Sequence, residues 1–164
     1  MADGSCISIK GQSSRVSNKG GVLVEPVWKV YGYITRFYKE KPQVLVFQHS
    51  VPEAGIQIPK GTVNPGEDPL HAVVREMVEE TGLNSVYVEK LLAVDTWINE
   101  DGKPHKRCFY QLHTPEVKGS WLHEPSGGGE EKGLTFHFFW ISSVEEVDLI
   151  RGHGDYLHLV LDGL

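Results

Sequence analysis

Residues 61–83 read GTVNPGEDPLHAVVREMVEETGL. Leu70, Val73, Val74 and Met77 recur at i, i+3, i+4 and i+7, which is one face of an α-helix. Asp68 precedes Pro69, so the spacing predicts a helix with Asp68 as N-cap and Pro69 in its first turn. Gly82 stands where a C-cap is wanted. On that helix Glu76, Glu79 and Glu80 share a sector roughly 100° wide, about 120° from the apolar face. One side therefore packs on a sheet while three carboxylates gather on another.

Three like charges on adjacent turns repel by a few tenths of a kcal/mol per pair even when exposed, and something must offset this. A hard divalent cation is the natural answer: Mg²⁺ takes oxygen ligands in octahedral geometry and leaves sites for water and phosphate. Arg75 is adjacent to Glu76 and four residues before Glu79, and its planar fork can fix a carboxylate. Glu67 is favoured near the helix start and can turn toward the same site. The loop from Lys60 to Gly66 brings backbone groups close, with Gly61 allowing tight approach. An E-x-x-E-E cluster alone is also the pattern of a solvated acidic face. The full run is more specific. It reads G-x5-E-x7-R-E-x-x-E-E-x-G, and seven fixed residues at background frequencies would occur in a chain this long with probability on the order of 10⁻⁶.

Residues 61–83 resemble the Nudix box, with no departure at any fixed position. The resemblance implies an α/β fold, a Nudix-type α/β/α sandwich around a mixed β-sheet, extended here over residues 21–164 as one domain behind a loose segment 1–20. It implies metal-assisted hydrolysis of a diphosphate linkage in a nucleoside diphosphate joined to another group. By position, Glu76, Glu79 and Glu80 become metal ligands for Mg²⁺, with Mn²⁺ as a substitute. Glu67 becomes an accessory ligand or loop support. Gly61 shapes the loop, with the carbonyl of Lys60 or Gly61 completing the metal shell, and Arg75 orients a glutamate. The general base is either a box glutamate, Glu76 or Glu79, or an acid outside the box. Glu130 and Glu131 stand just before the aromatic run LTFHFFWI, where an acid serves as ligand or base in several dinucleoside polyphosphate and RNA-end hydrolases of the family.

Outward from the box, the chain reads as a mixed α/β domain. Residues 21–38 are one or two strands, and Val44–Phe47 is a buried strand. Residues 85–94 and 105–113 are two strands joined by turn chemistry at Asn99–Pro104. Residues 134–141 form another strand. Ser142 or Ser143 is placed to cap a helix through Ile150, and residues 154–162 suggest a last short helix. The glycine-rich stretch 123–133 is a candidate mobile loop. The first 20 residues hold five serines and three glycines, with a short strand expected around Ile7 and Ile9.

Composition narrows the class. The chain has 164 residues, 40% of them apolar and 23% charged, which is the profile of one globular domain. The net charge of −6 does not suggest a basic face for duplex DNA. No apolar run approaches the roughly 20 residues of a membrane helix, and no signal peptide is expected. Cys6 and Cys108 suggest neither a zinc site nor a disulfide framework, so a reduced cytoplasmic setting is the simplest expectation. The eight histidines show no tight zinc spacing.

Lys60 is placed to meet substrate phosphate as a point charge. Arg36, Lys106 and Arg107 are weaker phosphate candidates. Tyr31, Tyr33, Phe37, Trp97, Tyr110 and Phe138 are candidates for stacking on a base, although most strand aromatics are core residues. Ile98 occupies the position where ADP-ribose hydrolases of the family often carry proline. Asn99–Asp101 occupy the zone where diadenosine polyphosphate hydrolases often carry tyrosine. The stretch QIPKGTVNPGE is similar to nucleoside and dinucleoside polyphosphate hydrolases. The expected substrate is therefore a nucleoside or dinucleoside polyphosphate. Nucleotide sugars, RNA 5′ ends and non-nucleotide diphosphates are alternatives, as is a Nudix domain that only binds a nucleotide. A monomer or homodimer is expected.

Overall fold

Residues 30–36 lie in one strand and are buried in unbroken succession. A strand with one solvated face would alternate, so this run must be covered on both sides. In the computed structural model, which describes residues 16–17, 23–126 and 133–161, that strand is β3 (Val27–Tyr38), and it sits at the centre of an eight-stranded sheet. The other members are β4 (Lys41–His49), β5 (Ile56–Gln57), β6 (Lys60–Thr62), β7 (Tyr87–Ile98), β8 (Pro104–His113), β9 (Ser120–His123) and β10 (Phe136–Ile141). The main order is β7-β8-β3-β4-β10-β9, with β5 on β4 and β6 on β3. β3 and β8 run parallel and the other pairs antiparallel, so the sheet is mixed. A separate two-stranded pair joins β1 (Val16–Ser17) to β2 (Leu23–Val24).

Alternation along the strands divides the core. Val30, Ile34, Leu45 and Phe47 face α1 (Pro69–Thr81), where they meet Val73 and Met77. Burying each such side chain contributes roughly 1.5–3 kcal/mol. Tyr31, Tyr33, Val44 and Val46 face the other way and meet Phe109, Ile141 and Leu157. The helix begins as expected. Asp68 Oδ1 accepts from the Leu70 N–H at 3.0 Å, Pro69 is in the first turn, and Gly82 closes the helix at φ 76°.

The second layer differs from expectation. Among the described residues α1 is the one α-helix, and the opposite face is covered by turns and a 3-10 turn at Leu157–Leu159. No helix runs from Ser143 to Ile150. Glu146 accepts from the N–H groups of Ser142 and Ser143, as a cap would have it. The chain then leaves helical geometry, because Leu149 forms a bridge with Ile56 and the Ile150 N–H donates to the Ile56 carbonyl. Pairing at the sheet edge replaces the helix. β9 was not expected either, and β7 and β8 both extend beyond the anticipated strands. The expected strand at Ile7 and Ile9, and Glu130 and Glu131, lie outside the described residues.

Candidate functional site

β6 pairs with the first half of β3 and runs beneath α1, with Lys60 opposite Tyr31, Gly61 opposite Val30 and Thr62 opposite Lys29. Gly61 therefore points to the helix side. A Cβ there would lie 1.9 Å from Cδ of Glu76, so only glycine lets the Glu76 carboxylate lie against this strand. One residue earlier, the Lys60 N–H points at Oε1 of Glu80 at 3.4 Å. Glu80 is 3% exposed, a depth at which a carboxylate needs compensation.

Arg75 is the hub of the acidic face. Its Nε and Nη2 donate to the two oxygens of Glu67, both at 2.8 Å. Its Nη1 donates to Glu76 at 2.8 Å and to Glu79 at 3.3 Å, and Nη2 also reaches the Thr62 carbonyl at 3.0 Å. The guanidinium thus offsets part of the repulsion among the helix carboxylates and ties the loop of residues 62–67 to the helix. Hydrogen bonding from Arg75 holds the Glu67 carboxyl down at about 2, with the Asn64 N–H as a second donor. The same partners raise Arg75 above its ordinary value. Among the described residues no three acidic, His or Cys side chains converge as a formed ion-binding cluster. The donor set nonetheless suits a small hard cation. It offers carboxylate oxygens on consecutive turns, one of them deeply buried, beside a strand whose missing Cβ leaves room.

The end of α1 is fastened by residues the sequence did not single out. The Trp121 indole donates to the Thr81 carbonyl at 2.8 Å. The His123 Nε2 lies 2.9 Å from the Glu79 carbonyl, and the Ser126 N–H donates to the same oxygen at 3.2 Å. No spacing in residues 120–126 announces this role.

The basic candidates separate. Lys60 is half-buried; its backbone N–H points at Glu80, while its side chain shares the sheet face of Tyr31, away from α1. Arg36 is 5% exposed and lies toward the β3–β4 turn, about 17 Å along the strand from Tyr31. Its donors go to Gln43 Oε1 and to the carbonyls of Glu116 and Lys118, and its guanidinium lies 4.0 Å from the Trp140 ring centroid. Arg36 is a packing residue. Arg107 is 1% exposed, held by Asp95 at 2.7 and 2.6 Å and by Asp155 at 3.0 Å. It too belongs to the interior. Lys106 Nζ donates to Thr96 Oγ1.

A NUDIX domain model matches residues 30–157. The chain belongs to the Nudix family. The solved Nudix structures share its fold. The NUDIX domain of Shewanella oneidensis NrtR complexed with ADP ribose is 15% identical, with 98% of this chain and 95% of that one covered and a TM-score of 0.62. The Ap4A hydrolase of C. elegans is 22% identical, with 82% and 90% covered and a TM-score of 0.52. In sequence, an RNA pyrophosphohydrolase of Brucella anthropi is 47% identical over 49 residues, which is 30% of this chain and 27% of that protein's length. No described helix of this Nudix chain is long and apolar enough to cross a membrane.

Proposed function

We propose that this Nudix domain is a Mg²⁺-dependent hydrolase of a diphosphate linkage in a nucleoside diphosphate joined to another group, with a nucleoside or dinucleoside polyphosphate as substrate. The observation that carries the reading is the deeply buried Glu80 beside Glu76 and Glu79, under the Gly61 strand and next to Arg75. A module that only binds nucleotide has no chemical need for that carboxylate set.

Glu76, Glu79 and Glu80 would hold the metal, with the Lys60 or Gly61 carbonyl beside them. Mg²⁺ or Mn²⁺ bound there supplies charge neutralisation at the phosphate oxygens and lowers the pKa of a water for in-line attack on phosphorus. Arg75 fixes Glu67, Glu76 and Glu79, so the carboxylates are oriented before substrate arrives. Glu67, with both oxygens held by Arg75, supports the loop. Lys60 meets phosphate charge. The attacking water loses its proton to Glu76 or Glu79, or to Glu130 or Glu131.

The test is product release from nucleoside triphosphates, dinucleoside polyphosphates, nucleotide sugars and a 5′-triphosphate RNA, with Mg²⁺ and with EDTA. The native chain is compared with Glu80→Gln. Turnover of one class, abolished by EDTA and lowered at least a hundredfold in the variant, is the expected result. Turnover indifferent to both would refute the reading. The 49-residue match to an RNA pyrophosphohydrolase favours an RNA 5′ end as the second substrate reading. A double Glu130→Gln, Glu131→Gln variant with undiminished turnover would remove those two residues from the mechanism.

A further inference from the structure

Of the six aromatic residues whose rings were candidates for a base, Tyr31 is 5% exposed and Tyr33, Tyr110 and Phe138 are fully buried. Phe37 is exposed but pairs with Pro42 at the β3–β4 turn, at the end of β3 away from β6. Trp97 alone is half-buried and near the β6 end of the sheet. It pairs with His105 across β7 and β8, and His105 pairs with Val27 at the start of β3. Opposite residues of a strand pair share a face. Lys29 is in register with both Arg107 and Thr62, and Lys60 lies opposite Tyr31, which faces away from α1. Trp97, Arg107, Lys29 and Lys60 therefore share that face across β7, β8, β3 and β6 as a diagonal row, with Trp97 two residues to one side of the Arg107–Lys29 register and Lys60 two residues to the other. Three strand spacings and a four-residue offset along β3 make it about 20 Å long from backbone to backbone.

The row has a direction. At one end the Arg107 guanidinium lies 4.7 Å from the Trp97 ring centroid, so Asp95 and Asp155 hold the cation that backs the indole. At the other end Lys60 is on the same short strand as Gly61, whose opposite side meets Glu76. Lys29 lies between them, its Nζ 2.6 Å from Thr62 Oγ1. A half-buried indole backed by a fixed cation, followed by two lysines that lead to β6, the strand against whose other side the Glu76 carboxylate lies, suits a planar base with its phosphate chain extended toward the edge at β6.

We propose that Trp97 is the base-stacking platform of a nucleotide subsite, with Lys29 and Lys60 holding the phosphate chain. The subsite rests on the nucleotide reading above but does not require hydrolysis.

The test is binding of ATP, GTP and UTP, compared with inorganic tripolyphosphate, in EDTA so that nothing turns over. The native chain should bind at least one nucleotide about tenfold more tightly than tripolyphosphate. Trp97→Leu should remove that advantage and leave tripolyphosphate binding unchanged, while Trp97→Phe should keep most of it. Lys60→Gln should weaken nucleotide and tripolyphosphate alike. Because Trp97 also packs on Arg107, a second readout uses the unsubstituted chain. The Trp97 indole N–H resonance, assigned with Trp97→Phe, should shift with the preferred nucleotide and stay in place with tripolyphosphate. Equal binding of all nucleotides and tripolyphosphate, or an indole signal that ignores the nucleotide, overturns the proposal. The two readings fail separately. Trp97-dependent binding without turnover of any diphosphate would leave the subsite and refute the hydrolase, whereas turnover without Trp97 dependence would do the reverse.

Discussion

An alanine at position 61 would bring its Cβ to 1.9 Å from Cδ and 2.2 Å from Oε2 of Glu76. The clash is with the end of a flexible side chain, so the fold can yield by moving that carboxylate, and the carboxylate is the part the chemistry uses. Gly61→Ala is expected to lower kcat/KM about a hundredfold, the scale of a 1 Å misplacement, while a thermal melt shifts by only a few degrees, about 1 kcal/mol. Glu67 gives a different signature. Its folded pKa of about 2 lies below the unfolded value near 4.5, so the unfolded chain binds the proton first as pH falls. The stability it contributes is complete above about pH 4.5 and disappears toward pH 2. Denaturation of native and Glu67→Gln chains across that window should show the gap closing in acid. At this scale the sequence spacing named the residues but not their depths: Glu80 is 3% exposed, whereas the Glu79 side chain is 31% exposed. The rotation of α1 on the sheet decides that, and it depends on side chains far along the chain. Arg36 was misleading for the same reason, because the carbonyls that occupy it come from Glu116 and Lys118.

Helix α1 was legible from end to end because each of its signals is local: Asp68, Pro69, the 3.6-residue apolar period and Gly82 agree with one another. The elements that were not legible depend on distant partners. β9 exists because β10 offers an edge, and Trp121 and His123 then reach the last carbonyls of α1. The segment after Ser143 carries a helix-start signal that Leu149 overrides by pairing with Ile56. The junction of α1 and β9 is testable at Gly82. This residue has φ 76°, and an added Cβ would lie 2.7 Å from Nδ1 of His123. Gly82→Ala should cost about 1–2 kcal/mol from backbone conformation alone, plus the displacement of His123. Urea denaturation would measure it, and an unchanged midpoint would show that the cap and its histidine contribute nothing.

Across the whole molecule, the last turns of the chain are fastened to the sheet by buried polar groups rather than by a helix. Arg107 joins β8 to Asp95 of β7 and to Asp155, the Tyr156 hydroxyl donates to Asp95, and the Tyr33 hydroxyl donates to the His153 carbonyl. His153 then accepts the Ile58 N–H on Nδ1 at 3.0 Å, two residues before Lys60. This contact links the C-terminal turns to the strand that carries Lys60 and Gly61. It requires a neutral ring, and burial, with the nearby charges of Lys60, Arg107 and Arg151, pushes the His153 pKa down to about 3. The unfolded value is near 6.5, so between those limits the unfolded chain takes up a proton that the folded chain refuses. Stability from this group is therefore complete above about pH 6.5 and falls as the solution is acidified, by about 2 kcal/mol at pH 5. A glutamine at 153 has no proton to gain. Native and His153→Gln chains should differ most at about pH 7.5, and the gap should narrow by about 2 kcal/mol at pH 5, read from urea denaturation at the two values. A gap that stays constant would mean that His153 is not held neutral. The strand before the box would then be tied to the C-terminal turns through the pairing of Ile56 with Leu149 and Ile150.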